Sequence, residues 1–323
     1  MSKTIGITLG DIWGIGPEII VKSLLDLQTR DSHTIKIFSD QKSFAALAKE
    51  QNLLSDYDKL INNHKIQWEP LAVDAYTRPE NKLQRASIAK ASLDAAIEQA
   101  MQQELQGIVT APLDKKIMQE VIENFVGHTE YLQEKTKVKQ TWMMLSNDEL
   151  NIVLLSNHLL LKEVSGSISQ EKIMVAVKDM VSHFKNLGKS SIKIAVCALN
   201  PHCGELSENS EEKTIIKPTI DKLNKQGFEV EGPFSADALF YQARKNQRWT
   251  AILAMYHDQG LVAAKYSGTD QAINITLGLP FIRVSPAHGV AYDLVGKNMA
   301  QHQSMFKALQ YILAGSKKSR SDI

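Results

Sequence analysis

Cysteine is nearly absent from this chain of 323 residues, which has only Cys197 and Cys203. Two thiols cannot staple a disulfide framework, so the fold must rest on a hydrophobic core, and such sparing use suits a reducing compartment. An excess of either charge is also lacking, since 37 Lys and Arg face 36 Asp and Glu for a net charge of +1. That balance offers no field to capture a polyanion, and the basic residues form no stripe interleaved with aromatics, which argues against a nucleic-acid partner. Nor is there a long apolar run. The most apolar stretch, 152–161, is interrupted by Ser156, Asn157 and His158, short of the roughly 18 residues a membrane span needs. Residues 1–11 read as a strand entering an acidic turn, not as a charged leader with a long apolar region. Repeats and low-complexity stretches are missing apart from the polar tail Gly315–Ile323, which is expected to fray. Together these absences predict a cytosolic globular protein of about two domains at roughly 150 residues each.

What is present is an alternation of short apolar runs with longer helical patterns, the mark of an α/β protein with a largely parallel sheet. Strands are predicted at Thr4–Leu9, Thr34–Phe38, Gly107–Thr110, Trp142–Leu145, Ile152–Leu155, Ile192–Ala198, Ala251–Met255 and Ile273–Leu277. Helices are predicted at Pro17–Leu27, Ser43–Gln51, Arg85–Leu105, Gln170–Asn186, Glu211–Lys225 and Met299–Ala314. Pro17 suits the first helical position, where its missing N–H costs nothing. The helix Arg85–Leu105 carries Ile88, Leu93, Ala96 and Ile97 at helical spacing and reads as a packed spacer without chemistry. Ser-Asn-Asp-Glu at 146–149 joins two strands as a hairpin, so the sheet is expected to be mixed.

Familiar motifs fail on inspection. Gly14-x-Gly16 lacks a third glycine three residues on and has Pro17 in the turn, so it is no dinucleotide fingerprint. Gly188-Lys189-Ser190 imitates the end of a phosphate loop, but His183 stands where the first glycine belongs. Asn274-Ile-Thr276 is formally a glycosylation site that a cytosolic chain never presents.

The histidines carry more. His33, His64, His183 and His302 lie in polar or helical contexts without companions. His158, His202 and His257 each fall just past the C-terminal end of a predicted strand, the edge where open α/β sheets gather ligands. If those strands are neighbours, three imidazoles converge, a donor set that suits several divalent first-row metals and leaves positions open for substrate. The residues alone leave open the alternative of loop histidines bonded to backbone. A second group reads as an anion pocket. Gly127-His128-Thr129-Glu130 opens a helical pattern, where backbone amides and a hydroxyl attract phosphate. Lys265, Asn274 and Arg283 lie in the strand-rich segment after His257, where a bound carboxylate or phosphate, or equally an exposed edge, would account for them.

At this point the residues resemble a known family. The segments are Gly10-Asp11, Gly14-Ile-Gly-Pro-Glu18, Thr110-Ala-Pro112, Gly127-His-Thr-Glu-Tyr131, Asn200-Pro-His202 with Gly204-Glu205, Ala236-Asp237, Met255-Tyr-His-Asp-Gln-Gly260 and Asn274-Ile-Thr-Leu-Gly-Leu-Pro280. In this order they resemble the 4-hydroxythreonine-4-phosphate dehydrogenases of pyridoxal phosphate biosynthesis. The resemblance implies two α/β/α domains with a cleft between them, similar to isocitrate and isopropylmalate dehydrogenases and not Rossmann. Residues 1–125 with 285–323 would form the first domain and 126–284 the second. It implies a homodimer with the active site at the subunit interface, and one divalent ion (Zn, Mg or Co) held by His158, His202 and His257, one of them from the partner. It further implies that His128, Thr129, Lys265, Asn274 and Arg283 bind a phosphorylated four-carbon hydroxy acid. Lys265 joins the three histidines as catalytic, and the loop with His288, Gly289, Ala291 and Asp293 takes NAD or NADP. Oxidation of the 3-hydroxyl would give a β-keto acid that loses CO₂.

Departures from the family fall on the nucleotide side. Ile12-Trp13 replaces Pro-Ala, Ala287 an aspartate, Val290 a threonine, and Ser156-Asn157 a pair of threonines. Loss of polar anchors at Ala287 and Val290 predicts weakened nucleotide binding, offset if Trp13 stacks on a nucleotide ring. Two further readings stand beside the first: a sister dehydrogenase acting on D-threonate or D-erythronate 4-phosphate, and a ligand-binding homologue without turnover.

Overall fold

Among the described residues there are eleven strands: β1 (Thr4–Thr8), β2 (Thr34–Ile37), β3 (Ile66–Trp68), β4 (Gly107–Thr110), β5 (Trp142–Ser146), β6 (Asn151–Leu154), β7 (Lys193–Cys197), β8 (Glu229–Phe234), β9 (Ala251–Ala254), β10 (Ile273–Leu277) and β11 (Ile282–Pro286). The computed structural model describes residues 4–27, 33–61, 65–74, 76–266 and 272–315, so His64 and the tail after Gly315 lie outside the described residues. The chain divides into two compact units, 1–141 with 279–317, and 142–278.

In the first unit the strand order is β3-β2-β1-β4-β11. Every pair is parallel. The strands β1 and β4 are buried almost throughout, as parallel strands covered on both faces must be. The helix Lys82–Met101 begins where the Asn81 side chain accepts from the Gln84 N–H, and it buries Ile88, Ala89, Leu93, Ala96 and Ile97. The buried Ser92 is satisfied on both sides: its hydroxyl accepts from Leu9 N at 3.1 Å and donates to Phe38 O at 3.0 Å. At the first turn of this helix Arg85, 7% exposed, forms a buried ion pair with Asp11, Nη2 to Oδ2 2.6 Å.

The expected boundaries at 125 and 285 contrast with divisions at 141 and 279. The reason is packing. Tyr131 and Leu132 of the helix His128–Thr136 share one apolar cluster with Phe125, Leu93 and Phe281, so His128, Thr129 and Arg283 all belong to the first unit.

In the second unit the order is β10-β5-β6-β9-β7-β8. The hairpin is present, with Leu145 opposite Ile152 and Ser146 opposite Asn151, and β10 runs antiparallel to β5. The remaining pairs, β6·β9, β9·β7 and β7·β8, are parallel, so this sheet is mixed as expected. Because β6, β9 and β7 are parallel neighbours, their C-terminal ends lie side by side, and these are the ends that carry His158, His257 and His202. No helix of the described residues is long and apolar enough to cross a membrane.

Candidate active site

Gln259 organises the strand ends of the second unit. Its carbonyl oxygen accepts from Met255 N at 2.7 Å and its amide donates to Ala198 O at 2.7 Å, joining the ends of β9 and β7. Ser156 ties in β6 by donating to Met255 O at 2.8 Å. His257 opens the helix His257–Tyr266, and Gly260 lets that helix press on β6, since a Cβ there would fall 2.6 Å from Leu154. The His257 Nδ1 lies 2.7 Å from Asp258 Oδ1, which leaves Nε2 for a ligand. The exposed His158 ring stands with its centroid 6.1 Å from that of His257 and its plane tilted by 41°. Two imidazoles sharing a tetrahedral ion would have centroids about 5 Å apart, so this pair is close to ligating distance.

His202 is placed differently. It lies in the turn Pro201–Gly204 with φ 51° and ψ 33°, and Cys203 repeats that left-handed conformation at φ 56°. Two successive non-glycine residues in this region store strain, which persists only where the surroundings fix it. The surroundings here are Glu212, 2% exposed, whose Oε1 accepts from Leu199 N at 2.8 Å and Asn200 N at 2.7 Å. His202 lines a cavity of about 760 Å³ with Asp237, Tyr256, Asp258 and Gln259. Among the described residues no group of three or more His, Cys, Asp or Glu side chains is placed to hold a metal ion. The structure thus brings the His158 and His257 rings together and sets His202 in a cavity with Asp258, the neighbour of His257.

In the first unit Arg283, on β11, is 2% exposed, and its Nε and Nη2 donate to Thr110 Oγ1 at 3.1 and 2.7 Å. Burial pushes its pKa down to about 9, with Glu130 pulling the other way, so it is still a cation at neutral pH. His128 is the first residue of its helix, and its Nε2 is buried without a partner. Burial, and then the Arg283 charge, hold the His128 pKa well below 6.5, so the ring is neutral at pH 7. Thr129, the next residue, is half-buried. A cation, a neutral imidazole and a helix N-terminus together make a site for an anion.

The other expected residues divide by exposure. Lys265 is exposed near the end of the helix His257–Tyr266, whereas Asn274 on β10 keeps a buried Oδ1 without a partner. In the loop after β11, the His288 Nε2 is likewise buried and unpartnered, and burial lowers the pKa of that ring. Gly289 faces open space, Ala291 is left-handed at φ 42°, and Asp293 is exposed. His128, Asn274 and His288 thus each present a buried polar atom that a ligand could satisfy, although such atoms are rare in folded proteins.

This loop has anchors that the residues at 287 and 290 did not suggest. Ala287 N donates to Ser304 Oγ at 3.0 Å, Val290 O accepts from Ile15 N at 2.9 Å, and Asn52 Nδ2 donates to Gly296 O at 3.0 Å. Gly14 is required there, because a Cβ would fall 2.9 Å from Val290 O. Sequence reasoning missed Thr110 and Gln259 as site residues. Both stand in the motif segments, but their roles depend on pairings between distant strands.

Residues 18–312 match the family model described as "Pyridoxal phosphate biosynthetic protein PdxA". A curated relative from Oceanobacillus iheyensis, named "Putative D-threonate 4-phosphate dehydrogenase", is 36% identical over 324 residues, covering 96% of this chain and 97% of that one. The 4-hydroxythreonine-4-phosphate dehydrogenase of Aquifex aeolicus is 34% identical over 318 residues, with 97% and 98% covered. A crystal structure of a 4-hydroxythreonine-4-phosphate dehydrogenase from Burkholderia phymatum superposes with a TM-score of 0.83 at 28% identity, covering 98% of each chain. A terephthalate 1,2-cis-dihydrodioldehydrogenase from Burkholderia xenovorans, at 20% identity and a TM-score of 0.69 with 98% and 99% covered, shares the fold.

Proposed function

The chain belongs to the pyridoxal phosphate biosynthetic protein PdxA family, and from that premise we propose that it is a metal-dependent NAD(P) dehydrogenase of 4-phosphohydroxy-L-threonine. The observation that carries the reading is the buried cation of Arg283, set on Thr110 beside the neutral, unpartnered His128. That arrangement suits a phosphate. Arg283 supplies charge, Thr129 and the helix N-terminus supply donors, and His128 is free to donate one more bond. Lys265 and Asn274 are assigned to the same substrate.

His158 and His257 have the chemistry and spacing to hold a divalent ion, with Asp258 fixing the His257 ring. His202 is assigned as the third imidazole, with one of the three donors supplied by a second copy, so the active form on this reading is a homodimer. A bound divalent ion (Zn, Mg or Co) would lower the pKa of a hydroxyl and stabilise developing negative charge on oxygen. A bound nicotinamide nucleotide would supply the hydride acceptor. It is assigned to the loop with His288, Gly289, Ala291 and Asp293, where the His288 Nε2 lacks a partner and Gly289 leaves open space. Oxidation of the 3-hydroxyl yields 2-amino-3-oxo-4-phosphohydroxybutanoate. This β-keto acid loses CO₂ to give 3-amino-2-oxopropyl phosphate, the electrons passing into the new carbonyl. The reading places the enzyme in the cytoplasm, where nicotinamide nucleotides and the free thiols of Cys197 and Cys203 are both maintained.

The 36% identity to the Oceanobacillus relative favours D-threonate 4-phosphate as the second reading. A coupled assay tests both: 4-phosphohydroxy-L-threonine and D-threonate 4-phosphate, each with NAD and NADP, with and without added divalent metal. Metal-dependent reduction of nicotinamide with CO₂ release from the amino acid is expected. Preference for the threonate selects the second reading, and turnover of neither leaves a ligand-binding homologue.

A further inference from the structure

The loop 287–297 contains one aromatic residue, Tyr292, and its hydroxyl meets three charged groups. The Oη lies 2.6 Å from Asp11 Oδ2, 2.7 Å from Asp114 Oδ2 and 3.1 Å from Arg85 Nη2. The guanidinium also stands over the Tyr292 ring, 5.5 Å from its centroid. Each partner is fixed independently. Arg85 reaches Asp11 through Nε at 3.1 Å and Nη2 at 2.6 Å, and Pro79 O through Nη1 at 2.8 Å. Asp114 caps the helix Lys115–Met118, accepting from Lys116 N at 2.8 Å and Ile117 N at 3.3 Å. One phenol thus joins the loop to the first turn, to the helix Lys82–Met101 and to the end of β4.

We propose that the Tyr292 hydroxyl is the positioning group that presets the loop 287–297 for its nucleotide, an inference that rests on placing the nucleotide in that loop. The phenol carries a single proton and donates to one carboxylate at a time, while the Arg85 cation offsets the charge of the other. Burial, reinforced by Asp11 and Asp114, raises the Tyr292 pKa, so the hydroxyl keeps that proton across the working range. Removing the hydroxyl leaves Asp11 on Arg85 and Asp114 on its two backbone N–H groups, so the fold holds. The loop keeps its backbone ties at Ala287, Val290 and Gly296 but loses its side-chain tie, and a nucleotide must then order the segment as it binds. Tyr292 touches neither substrate nor reacting atoms in this scheme. It acts through the loop.

The test compares Tyr292→Phe with the parent enzyme by titration calorimetry of NAD and of NADP, alongside steady-state kinetics. The dissociation constant of the preferred nucleotide should rise about tenfold, the weight of one hydrogen bond to a charged group. Binding entropy should become less favourable, and the change should fall on the KM for nucleotide, not on kcat at saturating nucleotide. Asp114→Asn, which keeps a carbonyl oxygen for Lys116 and Ile117, should weaken nucleotide binding about threefold by loosening the other end of the same bond. His288→Ala serves as the check on the loop itself. If His288→Ala weakens the nucleotide and Tyr292→Phe does not, the positioning role is overturned and the nucleotide assignment stands. If neither variant changes affinity, the assignment of the loop fails and the inference fails with it.

Discussion

Arg283 and Thr110 are 2% and 0% exposed and bonded to each other, whereas His158 and His202 stand exposed at the ends of their strands. The two sets belong to different units and are held in opposite ways. In the first unit the fold itself desolvates the cation, a cost offset by the Thr110 hydroxyl, so the geometry exists before any anion arrives. In the second unit the imidazoles remain in water, and only His257 has its ring oriented, by Asp258. The first arrangement selects a ligand by shape and charge. On the proposed reading, the second would take its shape from a bound ion and a donor of a second copy.

The sharpest way to break this comparison is to remove an imidazole. His257→Ala should lose bound metal and reduce activity together by at least about two orders of magnitude, since even the outer partners of metal ligands are worth 10–100-fold. Elemental analysis of the purified variant decides it, and full metal occupancy would sink the assignment. Melting behaviour in the absence of metal should hardly change, because an exposed ring contributes little to the fold.

Arg283→Met should act the other way round. Each charge-assisted contact to an anion is worth about 1.5–3 kcal/mol, so kcat/KM for the phosphorylated substrate should fall by about one to two orders of magnitude. Stability should hold or increase, because replacing a buried charge by an apolar side chain of similar volume is often stabilising. Loss of stability without loss of substrate affinity would make Arg283 a structural residue.

How much of this was legible follows from the same contrast. Strands marked by short or alternating apolar patterns were readable, as at 107–110 and 273–277, which match residue for residue. Three were not. The strand β3 is three residues at an edge, β8 contains Gly232-Pro233, and β11 carries the buried polar residues Arg283 and Ser285, which break the apolar pattern. The histidines were legible because strand ends can be counted along the chain. Thr110, Gln259 and Tyr292 were not, because their value lies in which distant segments they join.

Burial of histidines makes both units sensitive to pH. His183, on the helix Gln170–Asn186 of the second unit, has its pKa pushed down to about 4 by burial. His128 and His288 of the first unit are lowered by burial as well. Below pH 6.5 the unfolded chain binds protons that the native rings refuse, so stability must fall as pH drops through 6.5 toward the native values. For His183 the loss between pH 7 and 5.5 should be about 1.2 kcal/mol. Denaturant melts of His183→Gln at the two pH values should show a shallower decline by that amount. An unchanged slope would mean that the ring is protonated in the native state.

The smallest effect is expected at Trp13, where sequence reasoning offered stacking on a nucleotide ring. The indole N–H donates to Thr77 O at 2.9 Å, and Trp13 N donates to Asp11 Oδ1 at 3.2 Å. Thr77 is in turn held by Gln84, its Oγ1 donating to Oε1 at 2.9 Å. These bonds make the side chain part of the wall between the first turn and the segment before the helix Lys82–Met101. Trp13→Phe keeps an aromatic face and removes one neutral hydrogen bond, so stability should fall by about 1 kcal/mol while NAD affinity stays within about twofold. Trp13→Ala separates the two roles, since a ring stacked on the nucleotide contributes to binding whether or not it can donate. A fall in NAD affinity of about tenfold in Trp13→Ala, with parent affinity in Trp13→Phe, would assign the ring to the nucleotide. Near-parent affinity in both, with stability lowered in each, would leave Trp13 as a structural anchor of the first turn.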